Sequence, residues 1–72
     1  AAGVFLCSIS RDNPSGTTAM PTVIGGAAAC TVTASAVPAV GAASETFTIT
    51  IYDTNDGDSG TAVLTLMAPP AA

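Results

Sequence analysis

Two cysteines and one crowded acidic loop hold most of the side chains in this 72-residue chain that could do chemistry. The cysteines are Cys7 and Cys30, and the chain contains no His. An even cysteine count in a short chain fits one disulfide in an oxidising compartment. Strand alternation through 3-GVFLCSISR-11 puts Phe5, Cys7 and Ile9 on one face. The same alternation through 29-ACTVTASAV-37 groups Cys30 with Val32, Ala34 and Ala36. Both sulfurs then point to the apolar side of their strands, where they can meet. Such a bond would stabilise the fold by about 3 to 3.5 kcal/mol through loop entropy. The competing reading is a pair of buried free thiols behaving as small hydrophobes. The disulfide is preferred, because small extracellular domains so often need one.

The acidic loop carries Asp53, Asn55, Asp56 and Asp58. Hard oxygen ligands at alternating positions are what Ca²⁺ requires. The string is close to D-x-N-x-D-G, but its glycine arrives one position early and the closing bidentate Glu is missing. Asp, Asn and Gly are also the best turn formers. The expectation is a solvated turn, with a calcium site at Asp53, Asn55, Asp56 and Asp58 as the alternative; no other cofactor is expected.

Directly after it, Gly57-Asp58-Ser59-Gly60 resembles the nucleophile loop of chymotrypsin-like serine proteases over four residues. The resemblance implies a nucleophilic role for Ser59. Those enzymes continue with a further small residue and require a His as general base. This chain continues Thr61-Ala62 and has no His, so a hairpin loop is expected and no catalytic residue is assigned. The threonines at 46, 48 and 50, with Thr31, Thr33, Thr61 and Thr65, suggest an ice-binding array, but no fixed period supports one. They read as an ordinary β-branched solvent face, or as rows that cross-bond to neighbouring subunits. Asn13-Pro14-Ser15 carries the Pro that forbids glycosylation, and Asn55 has no Ser or Thr two residues on.

These groups must be positioned by strands. Thr, Val and Ile are frequent, and no stretch has an apolar i, i+3, i+4, i+7 pattern of helical length. A first strand is expected over about 3–11, closed by the turn cluster 12-DNPSG-16. A short second strand near 18–25 is demoted to an edge by Pro21. A third strand covers about 28–37, followed by the small-residue connector 38–44. The clearest element is 45-ETFTITIYD-53, in which Phe47, Ile49 and Ile51 face one way and Thr46, Thr48, Thr50 and Tyr52 the other. The turn formers 54–60 and the alternating run 61–68 complete a hairpin. Val63 and Met67 make that last run apolar on both faces, which suits a central strand or one covered by a partner. Pro69-Pro70 ends the sheet, for want of backbone donors.

The expected fold is all-β: residues 1–72 as one small antiparallel β-sandwich or barrel-like sheet of four to five strands, completed in one version by strands from neighbouring subunits. A full immunoglobulin-type sandwich needs about seven strands, so an Ig-like domain here would be an incomplete one.

Composition narrows the function. Hydrophobic residues make up 49% of the chain and charged residues 8%, with one cation, Arg11, against five acids. A net charge of −4 excludes the basic footprint that nucleic acid or anionic lipid would need. No run reaches the roughly 20 apolar residues of a membrane helix. The start lacks the basic region of a signal peptide; without an initiator Met, the chain reads as a mature product or a fragment. Fifteen of the hydrophobic residues are Ala, so the core is lean. A domain of this size is marginal without a disulfide, a metal or burial against neighbours. The leading expectation is a non-enzymatic structural subunit of an extracellular, cell-surface or virion-surface assembly, such as a filament, pilus-like fibre or capsid decoration. Its partners would be copies of itself, joined through β-edges or through the terminal segments 1–10 or 61–72. The alternative is a ligand-binding or adhesion β-module, calcium-tuned at the 53–58 loop.

Overall fold

A computed structural model describes residues 3–71. Among these residues there are five strands and no helix, and the strands form two antiparallel sheets. The larger sheet joins β1 (Phe5–Arg11), β4 (Glu45–Asp53) and β5 (Ser59–Leu66), in the order β1-β4-β5. The smaller pairs β2 (Thr22–Ile24) with β3 (Thr31–Thr33). The all-β expectation holds, as two small antiparallel sheets rather than one closed barrel. The second and third strands shrink to three residues each. Pro21 cannot donate to a ladder and Gly25-Gly26 interrupts the chain, so little of 18–37 can pair. The last strand starts two residues earlier than expected, at Ser59.

Register explains the buried face. Phe5 stands opposite Asp53, Cys7 opposite Ile51, Ile9 opposite Ile49 and Arg11 opposite Phe47. Across the other ladder, Phe47 faces Leu64, Ile49 faces Ala62 and Ile51 faces Gly60. Because side chains alternate with period two, one face collects Phe5, Cys7, Ile9, Arg11, Glu45, Phe47, Ile49, Ile51, Ala62, Leu64 and Leu66. The other collects Ser8, Ser10, Thr46, Thr48, Thr50, Tyr52, Ser59, Thr61 and Thr65, with Leu6 and Val63.

The apolar face is only partly covered. Its buried hydrophobic residues of any size are Phe47, Ile49 and Leu66, with Pro21 and Pro38 from the connecting segments. Phe47 and Leu66 lie at the end where the 12–18 segment is held by Arg11 and Glu45, and Ile49 sits at the middle of β4. At the opposite end the small sheet reaches Phe5 and Cys7 on the β1 side and leaves Phe5 and Ile51 half-buried, while Gly60 and Ala62 on the β5 side stay exposed. The Cα radius of gyration is 14.3 Å, and the molecule extends 51 by 17 by 15 Å. A compact chain of this length has a radius near 11 Å. The fold is therefore a long, narrow sheet with one closed end.

The central strand is β4, and β5 is an edge. On one face of β5 Leu64 is half-buried and Leu66 buried, but the apolar side chains of Val63 and of Met67 just beyond the strand are not explained by burial inside the domain. Val63 is 72% exposed and Met67 71%.

Candidate functional site

The disulfide expected from strand phase is present. Cys7 and Cys30 are bonded, with a Cα–Cα separation of 6.2 Å, and no free cysteine remains. The bond ties β1 to the residue before β3, so it staples the small sheet onto the large one. Beside it, Gly25 lies against the Phe5 carbonyl, where a Cβ would collide with backbone. Gly26 accepts the Phe5 N–H at 2.7 Å. These contacts cover the start of the β1 edge.

The acidic loop is built as a turn. Asp53 Oδ1 accepts the Asn55 N–H at 2.9 Å, and Asp56 Oδ1 accepts the Asp58 N–H at 3.0 Å. The backbone closes the loop through Asp53 N–H to Asp58 C=O at 2.8 Å and Gly57 N–H to Asp53 C=O at 2.9 Å. Gly57 takes φ +80°, which a side chain would resist. The carboxylates face their own backbone donors, and among the described residues no three metal-ligating side chains converge. Asp53, Asn55, Asp56 and Asp58 are therefore placed in a hairpin connection. Ser59 opens β5 across from Tyr52, on an exposed edge.

The threonines separate. Thr46, Thr48, Thr50, Thr61 and Thr65 share the hydroxyl face, whereas Thr31 and Thr33 belong to the other sheet. Asp12 accepts a hydrogen bond from the Thr48 hydroxyl at the rim of that face.

One cluster escaped the sequence reading. Arg11 and Glu45 form an ion pair on the apolar face, with Glu45 fully buried. The Arg11 guanidinium lies 5.0 Å from the centroid of the Phe47 ring and donates to the Thr18 carbonyl. Glu45 Oε2 accepts the Thr18 N–H at 3.2 Å. The pair is thus the polar lock of the closed end, holding the 12–18 segment over Phe47. Its signal was in the alternation: Arg11 is in phase with Cys7 and Ile9, and Glu45 with Phe47 and Ile49.

The open end is the other unassigned feature. An apolar groove of about 390 Å³ runs there, lined by Phe5, Cys30, Val32, Ile49, Ile51 and Ala62 among others. A second depression of about 240 Å³ continues it past Asp53, Asp58, Ser59 and Gly60. Beside both runs the free edge of β5. The pairing of Asp53 N–H with Asp58 C=O sets the phase of the β4–β5 ladder. Gly60, Ala62, Leu64 and Leu66 turn their backbone groups to β4. Thr61, Val63 and Thr65 turn theirs outward, since ladder groups alternate in direction.

Fold and site together define a disulfide-stapled, all-β domain with a locked end, an open apolar groove and one long unprotected edge. Comparison with known proteins found no matching family model, no matching curated protein and no matching solved structure. Among the described residues no helix is long and apolar enough to cross a membrane.

Proposed function

We propose that the chain is a non-enzymatic structural subunit that assembles with copies of itself, outside the cell or on a virion surface. The observation that carries this reading is the mismatch between apolar face and cover. Among the described residues of that face, Phe47, Ile49 and Leu66 are the buried large hydrophobics, while Phe5, Ile51 and Leu64 stay partly exposed and Ala62 is exposed; elsewhere Leu6, Val63, Met67, Ile24 and Val40 are more than half exposed. Burial of apolar area is the main favourable term in folding, and a domain this small has little to spare. A neighbour that covers the open end supplies what the monomer lacks.

Edges are the better means of joining. Both terminal strands are already spoken for: β1 is paired along β4 and bonded through Cys7, and β5 is paired along β4 with Leu66 buried. Donating either would dismantle the only large sheet. The disulfide suits an oxidising compartment, which supports the extracellular placement. A ligand-binding module draws support from the groove alone; assembly accounts for groove and edge together.

Sedimentation velocity over a wide concentration range tests the proposal. Species larger than a monomer are expected at the high end, and a monomer throughout would overturn it. Hydrolytic turnover that disappears in Ser59→Ala would overturn the non-enzymatic part.

A further inference from the structure

We infer that β5 pairs antiparallel with β5 of a second copy, about a two-fold axis through Val63, merging two three-stranded sheets into one of six strands. The inference rests on the self-assembly reading and names the edge, the partner and the register.

Edge strands are normally protected by charge, proline, a bulge or a covering loop. The β1 edge has such protection: Gly26 takes the Phe5 N–H, the Cys30 bond flanks Cys7, and Arg11 stands at its far end. The β5 edge has none. Residues 59–68 contain no charge and no Pro, and the ladder from Ser59 to Leu66 is unbroken. Thr61, Val63 and Thr65 therefore offer their N–H and C=O groups outward. Two copies of an uncharged edge meet without like-charge repulsion.

Side-chain size selects the register. On the apolar face β5 is graded, with Gly60 and Ala62 at one end and Leu64 and Leu66 at the other. Antiparallel pairing centred on Val63 sets Leu64 opposite the second copy's Ala62 and Leu66 opposite its Gly60. Each large residue meets a small one, and the space beside Gly60 is open. Both leucines then lean toward the groove lined by Phe5, Ile49, Ile51 and Ala62. On the hydroxyl face Val63 meets itself and Thr61 meets Thr65, both favourable cross-strand pairs. Sliding by one step toward the loop sets Leu66 against Asp58. Sliding the other way sets Leu64 against Leu64 and leaves Ala68 opposite Gly60. The Val63-centred pairing would form roughly six interchain backbone hydrogen bonds, two for each of its three hydrogen-bonded residue pairs.

Val63→Pro tests this directly. The Val63 N–H points away from β4, so proline there removes no bond within the monomer but blocks the pairing at its centre. Sedimentation should show self-association weakened by about a hundredfold or more, with the Cys7–Cys30 bond and β-sheet circular dichroism retained. Amide exchange on the unmodified protein gives a second measurement that does not depend on the variant folding. The Thr61, Val63 and Thr65 amides should exchange fast when dilute and become protected as concentration rises. Leu6→Lys, on the hydroxyl face, is the comparison. If Val63→Pro associates as the unmodified protein does, or those amides stay fast in the assembled state, the β5 inference fails. Loss of association in Leu6→Lys alone would then move the contact to the hydroxyl face, with the assembly reading intact. An unmodified protein that is monomeric at every concentration removes both.

Discussion

Glu45 has no solvent exposure, and its charge is held by Arg11 and the Thr18 N–H. Removing one member of such a pair leaves the other charge in an apolar setting, a loss of about 3 to 5 kcal/mol where burial is complete. Arg11 keeps some solvent contact, so Glu45→Ala should fall toward the lower end. That is still a large share of the stability of a domain this size. A urea melt should show the midpoint of Glu45→Ala lowered by a large fraction of its value in the unmodified protein. Replacing both residues with Met should restore much of the stability, because the desolvation cost goes with the charges. Gly25 gives a second test at this scale. The Phe5 carbonyl occupies the space of its Cβ, and backbone cannot move aside as a flexible side chain can. Gly25→Ala should lower the melting temperature and speed exchange of the Phe5 amide, whose partner is Gly26.

Among elements, the small sheet depends on the disulfide. Strands of three residues make few ladder bonds, and an isolated two-stranded ribbon is marginal in water. Cys7–Cys30 spans 23 positions in sequence, and opening it should cost about 3 to 3.5 kcal/mol. Reduction, or Cys7→Ser with Cys30→Ser, should abolish exchange protection in β2 and β3 before it disturbs β4. The 53–58 hairpin carries the opposite expectation. Its carboxylates already cap its own backbone, so thermal melts with and without a calcium chelator should superimpose. The strands β1 and β4 could be read from alternation because each buries one face of a regular ladder. The reach of β2 and β3 could not. Their pairing depends on how far the chain between Pro21 and Cys30 can stay extended against β1, which no local pattern encodes.

For the whole molecule, the accessible surface is 4473 Å², against about 4,000 Å² for a compact chain of this length. A protein that covers this surface with another copy should melt at a temperature that rises with its concentration. An apolar reporter dye should bind most at low concentration and be displaced on assembly. A melting temperature independent of concentration, with constant dye binding, would show the groove to be a feature of the finished monomer. Scarcity of charge has its consequence at this scale too. With one cation, and that one paired inside the fold, association should respond weakly to salt.

The sequence by itself determined the all-β class and the alternating faces of β1 and β4, and it put Cys7 and Cys30 each on the apolar side of its own run. These follow from period-two geometry and the lack of helical periodicity, both local properties of the chain. It also placed Arg11 and Glu45 in phase with apolar neighbours, although their meeting could not be read from either strand alone. Only the tertiary structure decided strand order. Order decides which strand has two partners and which has one, and it made β4 the centre and β5 the edge. The two apolar faces of β5 suited either burial between strands or cover by a partner. Placing β5 at the edge removes the first, and its hydroxyl face stays uncovered within the chain, so that Val63 is 72% exposed while Leu66 on the other face is buried.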